Sequence, residues 1–283
     1  MSKILTFEKP ADFFNTNKKF IFNNYFSHYH LIKEIEDICS QRADLNECYN
    51  IEDDNGSFVL CMRTSNAFFI YGTSWTNEIV SKLSEKVGLD KYETIVFIGQ
   101  RDLIQQLFDS NQTEAKFLSK KWSVDECEIV KQHNVNLVGK IETADMDDFE
   151  ELVEMSWDYV QEEFNGKSNQ TKDSISSTVT SLILKSSLFV WKANGVITTF
   201  ARLIGDRTDF AFIGGFYTKE DFRRKGYGYA FMYSLTNELL KNGYSKCGVL
   251  IDTEYQITKK IFERIGYTSV YNFGKIAKYK GEI

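Results

Sequence analysis

Short apolar runs alternate with polar positions along most of the chain, interrupted by helical spacings and by turns built from Gly, Asn and Asp. Between residues 12 and 50, Phe20 and Tyr25 (with Asn24) and then Leu31, Ile35 and Ile38 fall at helical spacing, which predicts two helices. Asp53-Asp54-Asn55-Gly56 signals a turn, and the strand SFVLCM, the polar turn RTSN and the strand AFFIYG follow as a hairpin. Ile79, Val80, Leu83 and Val87 share one helix face that stops near Gly88. TIVFIG is a short buried strand and DLIQQLF a helix, while the polar stretch 109–136 holds KFLSKKW and ECEIVKQ as further strands.

A domain boundary near His133-Asn134 divides the chain into 1–134 and 135–283. Beyond it come the strand NLVGKIET, an N-cap at Asp145 and a helix through Phe149, Leu152, Val153 and Trp157. EEFNGKSNQTKD is polar and loop-like, a helix covers 173–185, and Asn194-Gly195 joins SLFVWKA to VITTFARLI as a hairpin. A turn at Gly205-Asp206-Arg207 leads into the stretch Phe210–Tyr267: strand, basic glycine loop, amphipathic helix, strand, helix. The order strand, strand, helix, strand, helix over 57–108 recurs over 196–265 without matching residues. It suits either a divergent duplication or the common alternation of strands and helices.

Composition narrows the function classes. With 283 residues, two domains are expected, and 23 Phe and 15 Tyr supply ample core. A net charge of −6 with mixed signs argues against bulk nucleic-acid binding. Five cysteines without tight spacing read as buried thiols in a reducing compartment. No run approaches a membrane span and the first residues lack a long apolar segment, so a cytoplasmic protein is expected. His28 and His30 have no carboxylate or Cys at ligand spacing and read as packed or solvated rather than metal-binding. No GxSxG or phosphate-loop motif of a nucleotidase occurs.

The loop Arg223-Arg224-Lys225-Gly226-Tyr227-Gly228 follows a strand and opens a helix. Backbone N–H groups at a helix start lack partners and carry partial positive charge, which an anionic phosphate satisfies. Gly226 and Gly228 let an anion approach the backbone, Arg223, Arg224 and Lys225 add positive charge for binding a phosphate-bearing cofactor, and Phe231, Leu235 and Leu239 bury the helix behind it. The same residues also suit a surface turn with solvated cations.

Gly215, Tyr217, Thr218, Phe222, Arg223, Gly226 and Gly228, with Ile261-Phe262 and Ile265-Gly266-Tyr267, carry a resemblance. They make the chain similar to the GCN5-related N-acetyltransferase (GNAT) superfamily, in its bacterial predicted-acetyltransferase branch. The resemblance is clear over about 187–274 and extends in outline over 137–283. It implies an α+β (mixed α/β) fold, with a central mixed, mostly antiparallel sheet flanked by helices. A second, diverged domain of the same kind would precede it. It implies acetyl-CoA as cofactor, with the backbone of Arg224, Lys225, Gly226, Tyr227, Gly228 and Tyr229 cradling the diphosphate. Phe216, Tyr217 and Thr218 would line pantetheine and acetyl group. Tyr255 stands where the family usually has Asn, and Glu220 replaces a familiar proline. Phe262 stands beside the expected cofactor in place of the Tyr whose hydroxyl protonates the leaving thiolate.

Acetyl transfer needs a neutral amine near the thioester, a base, donors for the oxyanion and a proton for the thiolate. Candidate acids are Tyr255, Tyr267 and Tyr271, each more simply explained by packing; candidate bases are Asp252, Asp209, Glu162 and Glu163. Tyr255 and Asp252 are favoured by their place between the fifth strand and its helix, although Asp252 also suits a helix cap. The expected function is an acetyl-CoA-dependent N-acetyltransferase, binding one cofactor per chain and acting on a primary amine of a small molecule or peptide. The alternatives are a catalytically weak acyl-CoA-binding regulator and a transferase of longer acyl groups.

Overall fold

A computed structural model describes residues 2–65, 67–111, 121–207 and 209–279. The first half runs β1 (Lys3–Phe7), α1 (Pro10–Asn23), α2 (Tyr29–Cys39), β2 (Leu45–Glu52), β3 (Phe58–Thr64) and β4 (Ala67–Ser74). It continues with α3 (Asn77–Val87), β5 (Thr94–Gln100), α4 (Arg101–Ser110) and β6 (Lys121–Cys127). The second half runs β7 (Lys140–Thr143), α5 (Phe149–Glu163), α6 (Lys172–Leu184), β8 (Leu188–Ala193), β9 (Val196–Arg207) and β10 (Phe210–Thr218). It ends with α7 (Tyr227–Lys241), β11 (Lys246–Asp252), α8 (Gln256–Ile265) and β12 (Thr268–Tyr279). The two halves therefore have the same order of helices and strands, which extends the echo seen in the sequence to every element.

The chain packs into two compact units. Unit 1 is Met1–Val124 with Asp252–Glu254 and Val270–Ile283; unit 2 is Asp125–Ile251 with Tyr255–Ser269. They are thus not the continuous segments 1–134 and 135–283. The reason is strand pairing: β12 lies antiparallel to β5, from Phe273 opposite Gln100 to Tyr279 opposite Thr94.

In unit 1 the strand order is β1-β2-β3-β4-β5-β12. All neighbours are antiparallel except β4 and β5, which run parallel. A strand of a parallel pair covered on both faces reads as a continuous apolar run, and AFFIYG on β4 is buried throughout. Thr76 caps α3 by accepting the Ile79 N–H at 3.4 Å, and Gly88, with a φ of 59°, ends it. Ile79, Val80, Leu83 and Val87 then pack into the core with Phe68, Phe97 and Phe108. The helical reading of 12–50 stops short, because Leu45 onward is β2. Most of KFLSKKW lies outside the described residues, and the following strand ends at Cys127.

His28, 2% exposed, has Nδ1 3.2 Å from the Ile21 carbonyl, and burial lowers its pKa from 6.5 to about 4. Between those values the unfolded chain takes up a proton that the folded one refuses. The stability contribution is complete above the unfolded value and is lost as pH falls through this window. The expected loss by pH ~4 is about 3 kcal/mol. Urea unfolding of unit 1 measured against pH should show this acid-side decline, flattened in His28→Leu; an equal slope in the variant contradicts it.

In unit 2 the order is β6-β11-β10-β9-β8-β7, where Asp125–Cys127 of β6 belong to this unit. Here β10 and β11 are the parallel pair. The hairpin at Asn194-Gly195 has φ values of 52° and 79°, as a type I′ turn requires. No turn forms at Gly205-Asp206-Arg207. Instead β9 stays paired to β10 as far as Arg207 opposite Phe210, because a register shift near Ile213 absorbs the irregularity. Asp145 caps a single 3₁₀ turn, Met146–Asp148, that feeds α5. α7 buries Ala230, Phe231, Met232, Leu235 and Leu239 against β9, β10 and β11 residues. Among the described residues no helix is long and apolar enough to cross a membrane.

Candidate active site

The site begins where β10 parts from β11. The two pair only from Phe210 opposite Lys246 to Ile213 opposite Val249, while β10 continues to Thr218 against β9. Between Gly214, opposite Arg202, and Tyr217, opposite Phe200, β10 carries a bulge. Gly215 has a φ of 60°, and a Cβ there would stand 3.0 Å from Arg202 Nε. Only glycine accommodates both that conformation and that neighbour.

The chain then makes one 3₁₀ turn, Glu220–Phe222, and enters the basic loop. Arg224 and Gly226 have φ values of 60° and 91°, and α7 starts at Tyr227. The first i to i−4 bond is the Ala230 N–H to the Gly226 carbonyl, at 2.9 Å. Tyr227, Gly228 and Tyr229 precede that bond; no side chain caps the helix and no acid lies in its first turn. A Cβ on Gly226 would meet nothing within 4 Å. At Gly228 it would press 3.0 Å from Phe216 Cζ and 3.1 Å from Thr218 Oγ1, so glycine lets the helix start sit against the end of β10. The Tyr229 ring packs inward under the Arg264 guanidinium, 4.4 Å from its centroid.

The equivalent start in unit 1 differs in each respect. Thr76 fills the cap of α3, and Glu78 puts an acid in the first turn. Bonds from the Ser2 hydroxyl and N–H hold the Glu78 carboxyl down at about 2. A helix start already served by its own side chains has little to offer a foreign anion.

The three loop cations are not equivalent. Arg223 donates through Nη2 to both Glu162 oxygens, at 2.8 and 2.9 Å, and through Nε to the Thr218 carbonyl at 2.8 Å. Its guanidinium lies 5.1 Å over the Tyr217 ring, and the Tyr217 hydroxyl donates to Glu162 Oε1 at 2.9 Å. Burial and then the Glu162 carboxylate push the Tyr217 phenol up. Arg223 and Glu162 thus tie the loop to α5, and the sequence signal for that pairing is nothing local. Arg224 and Lys225 are exposed and make no ion pair among the described residues; Lys225 Nζ stands 5.8 Å over the Phe222 ring.

Residues 149–267 match the model of the acetyltransferase (GNAT) family. Unit 2 carries a GNAT domain. The likeness in fold extends over both units. An acetyltransferase of the GNAT family from Colwellia psychrerythraea is 13% identical, has a TM-score of 0.62, and pairs 98% of this chain with 100% of that one. A GCN5-related N-acetyltransferase from Sphaerobacter thermophilus is 12% identical, with a TM-score of 0.61 and coverages of 99% and 97%. A Drosophila protein is 11% identical, with a TM-score of 0.56 and coverage of 98% of both chains. No curated protein matches the sequence.

The candidate acids separate. Tyr255 is the backbone N-cap of α8 and is 60% exposed. Tyr267 is in the core, its hydroxyl 3.0 Å from Thr236 Oγ1, and burial pushes its pKa well up. Tyr271 groups with unit 1 and is also pushed up by burial. Phe262 is 3% exposed, its ring edge-on to Phe216 at 6.1 Å and to Tyr267 at 5.0 Å, so it braces the bulge from the core. Among the candidate bases, Glu162 is engaged with Arg223, and the Asp209 carbonyl accepts the Ser245 N–H in an exposed turn. Asp252, grouped with unit 1, accepts the Glu254 N–H at 2.9 Å and so holds the turn after β11 rather than capping α8.

Sequence reasoning passed over Arg202. It lies on β9 between Leu188 and Gly214 and lines a partly open cavity of about 110 Å³ bounded by α5, α6, their connection and the strands. Its signal was available: it is the only charge in VITTFARLI.

Proposed function

We propose that this protein is an acetyl-CoA-dependent N-acetyltransferase that moves an acetyl group to a primary amine by direct attack. The observation that carries the reading is the start of α7: uncapped, free of acids, with Gly226 in the left-handed region and facing open space. The N–H groups of Tyr227, Gly228 and Tyr229, with exposed Arg224 and Lys225, would hold the CoA diphosphate. Phe216, Tyr217 and Thr218 at the bulge would line pantetheine and acyl group. Bound acetyl-CoA supplies a thioester activated for attack by an amine. This chain contributes position and backbone donors where β10 leaves its ladder with β11. The self-capped start of α3 supports one cofactor per chain, held by unit 2.

Tyr255, exposed and at the head of α8, is the residue we assign to protonating the leaving thiolate, and Asp252 the base. Tyr255→Phe should lower kcat by about tenfold or more and change the Kd for CoA by less than about twofold, since one proton-transfer group is removed. Equal turnover in the variant removes Tyr255 from the mechanism. The buried, hydroxyl-free Phe262 favours a second reading, an acyl-CoA-binding regulator with weak turnover. Calorimetry with CoA and a thiol-release assay over a panel of amines separate the two. Tight binding without any acceptor supports the regulator, turnover supports the transferase, and absence of CoA binding ends both. Mass spectrometry of copurified ligand would reveal a longer acyl donor.

A further inference from the structure

Arg202 Nε is buried and has no hydrogen-bond partner. Among the described residues its guanidinium forms no ion pair either. Arg202 is half-buried, and an Nε–H kept from water without an acceptor carries a cost that is recovered when a ligand supplies one. The cavity this side chain lines is mixed: Ser156, Gln170 and Thr178 are polar, while Val160, Ile175, Val179, Leu188 and Phe200, all at most 5% exposed, form an apolar wall. Its volume, about 110 Å³, is below the ~150 Å³ that accepts a benzene ring, and so suits a compact aliphatic group.

The cavity also reaches the proposed chemistry. Gly215 is part of its lining and immediately precedes Phe216, at the bulge. Gly215 lacks the Cβ that would displace Arg202, so the same glycine shapes the bulge and admits the guanidinium to the cavity.

We propose that this cavity is the acceptor subsite, and that the acceptor is an α-amino acid with a small aliphatic side chain, its carboxylate held by Arg202. Three features of the site select that class. The guanidinium matches a carboxylate in a two-pronged geometry. The apolar wall takes the side chain. The neighbouring bulge requires the amine within a bond or two of the carboxylate, which an α-amino acid provides and a polyamine or long peptide side chain does not. The proposal rests on the acetyltransferase reading given above.

The test uses the full chain with L-valine and L-leucine, and with their decarboxylated counterparts isobutylamine and isopentylamine. Acetylation of the amino acids should exceed that of the plain amines by about a hundredfold in kcat/KM, the scale of a two-pronged charge-assisted pair. Arg202→Met should lower kcat/KM for the amino acids by a similar factor, through KM, and leave the plain amines and the Kd for CoA unchanged. Arg202→Lys, which keeps the charge without the fork, should fall between. Retained CoA binding shows that a variant is folded. Amino-acid binding is also read directly by calorimetry, so the outcomes part cleanly. A chain that fails to bind CoA overturns the transferase reading. A chain that binds CoA but neither binds nor acetylates the amino acids, or treats them and the plain amines alike, overturns the acceptor assignment alone.

Discussion

Gly226→Glu is expected to weaken CoA binding by about a hundredfold or more, while both units stay folded. The backbone reason is mild: a φ of 91° strains any residue with a Cβ, at about 1 kcal/mol, and a Cβ here meets no atom within 4 Å. On a chain of this size that shifts the melting temperature by about 2–4 °C. The ligand-side reason is severe. A carboxylate at the helix cap can accept the N–H groups of α7 itself, as capping residues do, and repels a diphosphate. Gly226→Ala carries the same strain without the anion and should lose far less affinity. Calorimetric titration of the three proteins with CoA reads the contrast. An unchanged Kd in Gly226→Glu would place CoA elsewhere and remove the footing of the transferase reading.

Residues 1–134 produced alone are expected not to unfold cooperatively. Unit 1 includes β12 from Val270 onward, which buries Phe273, Ile276 and Ala277 and pairs with β5 along the whole of β5. Tyr271 lies edge-on to the His28 ring and Phe273 stacks on the His30 ring. Losing two large buried side chains removes about 3–6 kcal/mol of apolar burial, a large part of the 5–15 kcal/mol that ordinarily separates folded from unfolded. It also exposes β5 as an edge whose Phe97 is fully buried in the complete chain. Urea titration followed by near-UV circular dichroism reads the result. Joining 268–279 to the fragment by a flexible linker should restore a cooperative transition. A sharp transition in the fragment without β12 would show that unit 1 needs only its own half of the chain.

Both expectations turn on how much of the molecule can be read locally. α3 was legible because its stripe, its cap and its terminal glycine lie within a dozen residues of one another. The hairpin at Asn194-Gly195 and the start of α7 at the glycine loop were legible for the same reason. The supposed turn at Gly205-Asp206-Arg207 was not one: a polar triplet with glycine suggests a turn, yet ladder pairing to β10 keeps it extended. β12 escaped notice because its strand character comes from β5, far away along the chain.

By itself the sequence determined the order of most elements, the glycine loop ahead of α7 and the resemblance of the second half to the GNAT family. Those properties depend on side-chain periodicity and on backbone freedom at single residues, which neighbours along the chain already set. Tertiary structure decided which half of the chain supplies the sixth strand of unit 1. It decided that Arg223 belongs to Glu162 and that Arg202, without an ion pair among the described residues, lines a cavity with one apolar wall. Pairings of that kind depend on register and packing between distant segments, where a one-residue shift changes every partner, and no local pattern encodes them.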